Sequence, residues 1–189
     1  RLEGYLFPAT YGYGKNSKME DLVDQMLAAM DQNLSAYYDT MEAKNIDVNE
    51  ALTLASLIEK EGATDKDRKD IASVFYNRLN QDMPLQSNIA ILYAQGQLGK
   101  KTTLKEDATI DTNIDSPYNI YKNTGLMPGP VDSPGVSAIE AAVNPSKTDY
   151  LYFVANVETG EVYFAKTYEE HTKNVEEHVN SKLTESSSN

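Results

Sequence analysis

Cysteine is missing from all 189 residues, and that gap removes disulfides, thiolate metal sites and cysteine nucleophiles from consideration. Positive charge is scarce too. Lys and Arg number 17 against 29 Asp and Glu, a formal charge of −12, and the pI is near 4.6. No basic stripe is present to replace phosphate counterions, which excludes nucleic acid as a partner and disfavours anionic membranes. No apolar run approaches the ~20 residues of a spanning helix. The glycines lack the spacing of a phosphate loop, "GKKTT" from Gly99 being only a fragment of one, and no nucleophile elbow is present for a Ser-His-Asp triad. His171 and His178 are the only histidines. Two helical turns separate them, too far for one ion, and Glu169, Glu170, Glu176 and Glu177 around them read as a solvated face. Neither metal nor cofactor is expected.

What remains is ordinary for a globular protein: 40% apolar and 24% charged residues in a length that allows one substantial core. Residues 1–183 are expected to form one domain and 184–189, within the polar "KLTESSSN", a flexible tail. The opening "RLEGYLFPATYGYG" has no initiator Met or signal sequence, so the chain is expected to be a piece of a longer protein.

Periodicity divides the chain into mostly helical segments. Leu2 to Tyr11 suggests a short strand or extended stretch entering a glycine turn. Ser17 is placed to cap a long helix whose stripe is Leu22, Met26, Ala29, Met30 and Leu34, continued by Tyr37, Tyr38 and Met41. A second helix starts near Asp47 or Asn49 and ends at Gly62. A third follows "TDKD", burying Ile71, Val74, Phe75 and Leu79, with Arg78 near its end to neutralise the helix terminus or pair with an acid. A short helix from Ser87 stops at Gly96. After the loop "GLMPGPVDSPG" comes a helix through Ile139 and Val143, then the alternating hairpin "YLYFVANVETGEVYFAKT", then a last helix from Tyr168 to about Leu183. The fold class is α+β, mainly α, with function on the loops between helices.

Carboxylates are the chemistry left. In "ALTLASLIEKEG", at about 100° per residue, Leu54, Leu57 and Ile58 share a face and Glu61 continues it, while Glu59 points away and reads as solvated. Glu61 is therefore expected to be half-buried at a helix end, which suits an acid kept protonated. Glycoside cleavage often adds a second carboxylate, for which Glu3, Asp111 and Asp115 are all open.

The stretches "LEGYLFPATY", "ASLIEKEG", "ASVFYNRLNQDMPLQS", "SPYNIYKNTGLMPGPVDSPG", "SAIEAAVNPSKTDYLYFVAN" and "HTKNV" together resemble, in order and spacing from Leu2 to about Val179, the endolytic murein transglycosylases of the MltG or YceG-like family. The resemblance implies a lysozyme-like, mostly helical domain outside the membrane, anchored by an upstream transmembrane helix. It also implies cleavage of the MurNAc to GlcNAc β-1,4 bond inside peptidoglycan strands, giving 1,6-anhydro ends, with cell-wall synthases and divisome or elongasome proteins as partners. "EKEG" then supplies Glu61 as catalytic acid, "MPLQS" points to Gln86, and "SPYNIY" points to Tyr118 and Asn119, with Tyr121, Asn88 and Glu3 as further substrate contacts. Asn88 stands where the resemblance leads one to expect Asp; it keeps a hydrogen-bonding role without the charge. Two alternatives accompany this reading: a hydrolytic muramidase with Asp111 or Asp115 activating water, and a non-catalytic glycan-binding module recruiting synthases.

Overall fold

A computed structural model describes residues 2–99, 106, 109–156 and 159–181. It is α+β and mainly helical, with one two-stranded antiparallel sheet among the described residues. Helix α1 (Met19–Leu34) leads through a tight turn at Ser35–Tyr37 into α2 (Tyr38–Lys44). The central helix is α3 (Val48–Glu61). Asp47 caps it reciprocally: the Glu50 N–H donates to Asp47 Oδ1 at 2.8 Å and the Asp47 N–H to Glu50 Oε2 at 3.0 Å. Every residue from Ala51 to Ile58 is buried, so α3 is enclosed on all sides rather than amphipathic.

Helix α4 (Asp65–Leu79) follows after a three-residue connection, capped by the Thr64 hydroxyl. Helix α5 (Asn88–Ala94) is capped by Ser87. Helix α6 (Val136–Val143) packs on both α3 and α4. Strands β1 (Tyr152–Ala155) and β2 (Val162–Ala165) pair Tyr152 with Ala165 and Phe153 with Phe164. Phe153 meets the edge of Phe75 on α4 at 5.8 Å, fastening the hairpin to the helical core. Helix α7 (Tyr168–Val175) continues as a wider turn at Glu176–Asn180 and lies on the hairpin. The expected helix end near Leu183, the tail 184–189 and part of the "ETGE" turn lie outside the described residues.

Two boundaries differ from expectation. Leu2 to Tyr11 forms no strand: the Tyr5 N–H donates to the Leu2 carbonyl at 3.0 Å. Gly4 makes this turn possible, since its φ is +85° and a Cβ there would lie 2.2 Å from Pro130 Cβ. Ser17 does not cap α1. Its hydroxyl accepts the Gly14 N–H at 2.9 Å, and Lys18 occupies the cap position.

Candidate active site

The last turn of α3 sends three charged side chains to three different partners. Glu59 accepts Arg68 Nη2 at 3.3 Å and the Gly135 N–H at 3.1 Å. It is therefore not the solvated residue that periodicity suggests. Lys60 pairs with Asp132 at 2.6 Å. Glu61, half-buried, accepts the Ser87 hydroxyl on Oε1 at 2.6 Å. Gly62 has an ordinary φ of −103°, so its reason is space. A Cβ there would lie 2.6 Å from Arg68 Cγ and 3.1 Å from its backbone N and Cα. Glycine lets the first turn of α4 close over the end of α3 and bring Arg68 to Glu59.

Ser87 is carried by the turn between α4 and α5, and that turn is organised by Arg78. The guanidinium is buried, 6% exposed, and meets no carboxylate among the described residues. Its Nε donates to the Leu151 carbonyl at 2.6 Å, and Nη1 is shared among the carbonyls of Pro84 (3.0 Å) and Leu85 (2.9 Å) and the Gln86 side-chain oxygen (3.1 Å). The Tyr152 ring lies 5.1 Å from its carbon centre. Burial lowers the Arg78 pKa, yet guanidinium stays charged. Neither of the two roles expected for Arg78 describes this arrangement: it is a clamp on main-chain carbonyls. Gln86 accordingly directs its amide oxygen at Arg78, adopts a left-handed φ of +57°, and donates its N–H to the Ile120 carbonyl at 3.0 Å.

That last bond ties the turn to residues 109–124. Asn119, a polar residue expected to touch substrate and so to be exposed, is instead fully buried, at 0% exposure. Its Nδ2 donates to the carbonyls of Thr112 (3.0 Å) and Ile114 (2.7 Å), and its Oδ1 accepts the Tyr121 N–H at 3.1 Å. The Tyr121 hydroxyl donates to Asn88 Oδ1 at 2.7 Å; in this contact Asn supplies the acceptor that the expected Asp would. Asp111 accepts the Asn113 N–H at 2.8 Å, and both Asp111 and Asp115 are exposed.

Tyr118 faces elsewhere. Its ring lies 4.8 Å from that of Tyr93, whose hydroxyl donates to Glu3 Oε2 at 2.5 Å. These three residues, with Val131 and Asp132, line an open cleft of about 540 Å³. Glu61 is not part of that lining. The two places are joined by α5, since Ser87 and Tyr93 stand six residues apart, about 9 Å along a helix, and by the Lys60–Asp132 pair beside Glu61. The candidate residues thus form two groups: Glu61, Gln86, Asn88, Asn119 and Tyr121 around the start of α5, and Glu3 with Tyr118 near its end.

Among the described residues no group of three His, Asp or Glu side chains is placed to hold an ion. His171 stacks on Tyr152 at 5.4 Å and His178 on Tyr163 at 3.6 Å.

The family model described as "YceG-like family" matches residues 1–177. The chain belongs to the YceG-like family. Two pneumococcal proteins named "Endolytic murein transglycosylase", from Streptococcus pneumoniae strains D39 and R6, are each 67% identical over 183 residues, covering 97% of this chain and 33% of the relative. A Bacillus subtilis protein of the same name is 47% identical over 182 residues, 96% of this chain and 49% of its own length. A crystal structure of a YceG-like protein from Listeria monocytogenes superposes with a TM-score of 0.81 at 50% identity, covering 91% of this chain and 55% of that one. The chain spans about a third to a half of the curated relatives it matches. No helix among the described residues is long and apolar enough to cross a membrane. In this YceG-like domain, Ser87 shows in the sequence only as the start of a short helix. The missed signal is positional: the residue after Gln86 contacts the carboxylate.

Proposed function

We propose that this domain is the catalytic unit of an endolytic lytic transglycosylase, cleaving the MurNAc to GlcNAc β-1,4 bond within peptidoglycan strands. The names of the relatives support the substrate class. The observation that carries the chemistry is the Glu61 carboxylate, half-buried at the end of α3, held by a buried hydroxyl and one short helix away from an open, tyrosine-lined cleft.

In this reading Glu61 donates its proton to the leaving GlcNAc O4 as an oxocarbenium-like state develops at MurNAc C1. The resulting carboxylate then accepts the proton of the MurNAc C6 hydroxyl, which attacks C1 and closes the 1,6-anhydro ring. The nucleophile belongs to the substrate, so neither an ordered water nor a second catalytic carboxylate is needed. Glu3, Tyr93 and Tyr118 offer a ring face and polar groups to sugars on one side of the scissile bond. Tyr121 and Asn88 border the reacting residue, while Gln86 and Asn119 act behind the surface by fixing the two loops. A lysozyme-like arrangement, an extracytoplasmic location with an upstream membrane anchor, and cell-wall synthases and divisome or elongasome proteins as partners belong to the same proposal.

Mass spectrometry of the products from purified peptidoglycan tests it. Anhydro ends released from within strands are expected. Reducing ends would make the enzyme a muramidase, and intact strands would leave a binding module.

A further inference from the structure

We infer that Ser87 is a positioning residue for the Glu61 carboxyl, a role that rests on reading Glu61 as the acid. The residue is 2% exposed, and its hydroxyl has two engagements: it accepts the Ile89 N–H at 3.1 Å and donates to Glu61 Oε1 at 2.6 Å. The first constrains the second. A serine hydroxyl has one proton to donate. With the oxygen held over the first turn of α5 as its cap, that proton is directed at the carboxylate. Capping alone does not require an acid opposite the cap, and holding an acid does not require the start of a helix; Ser87 combines the two.

Its position is set from behind. Arg78 draws the carbonyls of Pro84 and Leu85 and the side chain of Gln86 onto one buried cation. The Gln86 N–H is bonded to Ile120. The turn therefore delivers the hydroxyl to Glu61 at a fixed place.

One consequence follows for the acid. Once the proton has gone to the leaving group, the hydroxyl bond strengthens against the negative oxygen and offsets part of the cost of a half-buried charge.

The experiment uses the full-length protein carrying Ser87→Gly and Ser87→Thr, with anhydro-end production from purified peptidoglycan followed against pH. Glycine caps helices nearly as well as serine but has no hydroxyl, and threonine restores one. The glycine variant is expected to lose roughly tenfold in kcat with KM changed less than about twofold, and the basic limb of its profile to move up by about one pH unit, because the ionised acid has lost a donor. Threonine should return both. If the glycine variant does not fold, Ser87→Cys, with its weaker donor, should move the limb in the same direction. Unchanged turnover and an unmoved limb in a folded variant without the hydroxyl would overturn the inference. Glu61→Gln run alongside separates the two readings. Cleavage surviving in that variant removes the acid and the role of Ser87 together, whereas an inactive Glu61→Gln beside an unaffected Ser87→Gly removes Ser87 alone.

Discussion

Glu59 and Glu61 leave the same turn of α3, yet they enter different regions of the molecule. Glu59 sits in the seam between α3, α4 and α6, where it accepts a guanidinium and a main-chain N–H at the start of α6. Glu61 faces the start of α5 and accepts a neutral hydroxyl. The seam uses a carboxylate as a fastener between a guanidinium on α4 and the main chain at the start of α6. On the α5 side, the Ser87 hydroxyl donates to the carboxyl and restrains its geometry. Two acids two residues apart thus meet partners that lie 9 and 26 residues further along the chain, and the proposed function gives only Glu61 a part in the chemistry.

The comparison breaks most readily at Glu61. Glu61→Gln keeps size and hydrogen bonding but cannot deliver a proton, so cleavage should fall by roughly 10²–10⁴-fold while the melting temperature stays near that of the wild type. Equal loss in Glu59→Gln would refute the division of labour.

Asn119→Ala comes next. Three hydrogen bonds of the buried Asn119 amide disappear and two carbonyls lose their donor, at an expected cost of about 2–4 kcal/mol in denaturant titration. Turnover should fall as well, through displacement of Tyr121. A stable variant with normal turnover would show that the 109–124 loop does not depend on this amide.

In the seam the effects should be on stability. Gly62→Ala forces Arg68 off the end of α3 and should cost about 1–3 kcal/mol. Glu59→Gln should cost about 1 kcal/mol and leave the rate within about twofold. Chemical denaturation beside a cleavage assay reads both variants.

The smallest expected effect concerns pH and stability. Burial, and secondarily the nearby Arg78 charge, hold the His171 pKa below its ordinary 6.5. The folded state therefore binds a proton less readily than the unfolded chain. The contribution is complete above about 6.5 and is lost as the pH falls toward and through the folded value. His171→Phe should flatten the stability profile over that window without moving the basic limb of activity, which the proposed mechanism assigns to Glu61. A shift of that limb would mean that the two pH dependences are coupled.

How much of this was legible in the sequence follows from the range of the interactions. The helices α3 to α6 and the β-hairpin announce themselves through local periodicity, caps such as Asp47 and Ser87, and terminating glycines. The half-burial of Glu61 is expected from the stripe of Leu54, Leu57 and Ile58, but α3 is buried on every side from Ala51 to Ile58 and Glu59 is partly buried as well, so the stripe alone does not set Glu61 apart. Periodicity fails where a partner is distant: nothing local to Glu59 reveals that Gly135 lies against it 76 residues away. Arg78 reads as a helix-terminal cation because the carbonyl of Leu151, 73 residues on, is invisible until the hairpin docks. Asn119 reads as exposed because it is polar, yet a loop with unpaired carbonyls can bury an amide that satisfies them. The extended reading of Leu2 to Tyr11 fails at Gly4, whose left-handed turn depends on contact with Pro130.

The most direct test of the division between the two regions is a crystal structure of the Glu61→Gln protein soaked with a peptidoglycan fragment that spans the scissile bond. A glycosidic oxygen is expected within hydrogen-bonding distance of the residue 61 side chain, with the strand continuing along α5 toward Tyr93 and Tyr118. A fragment seated on the hairpin face, or with its scissile bond nearer Glu59 than residue 61, would contradict that division.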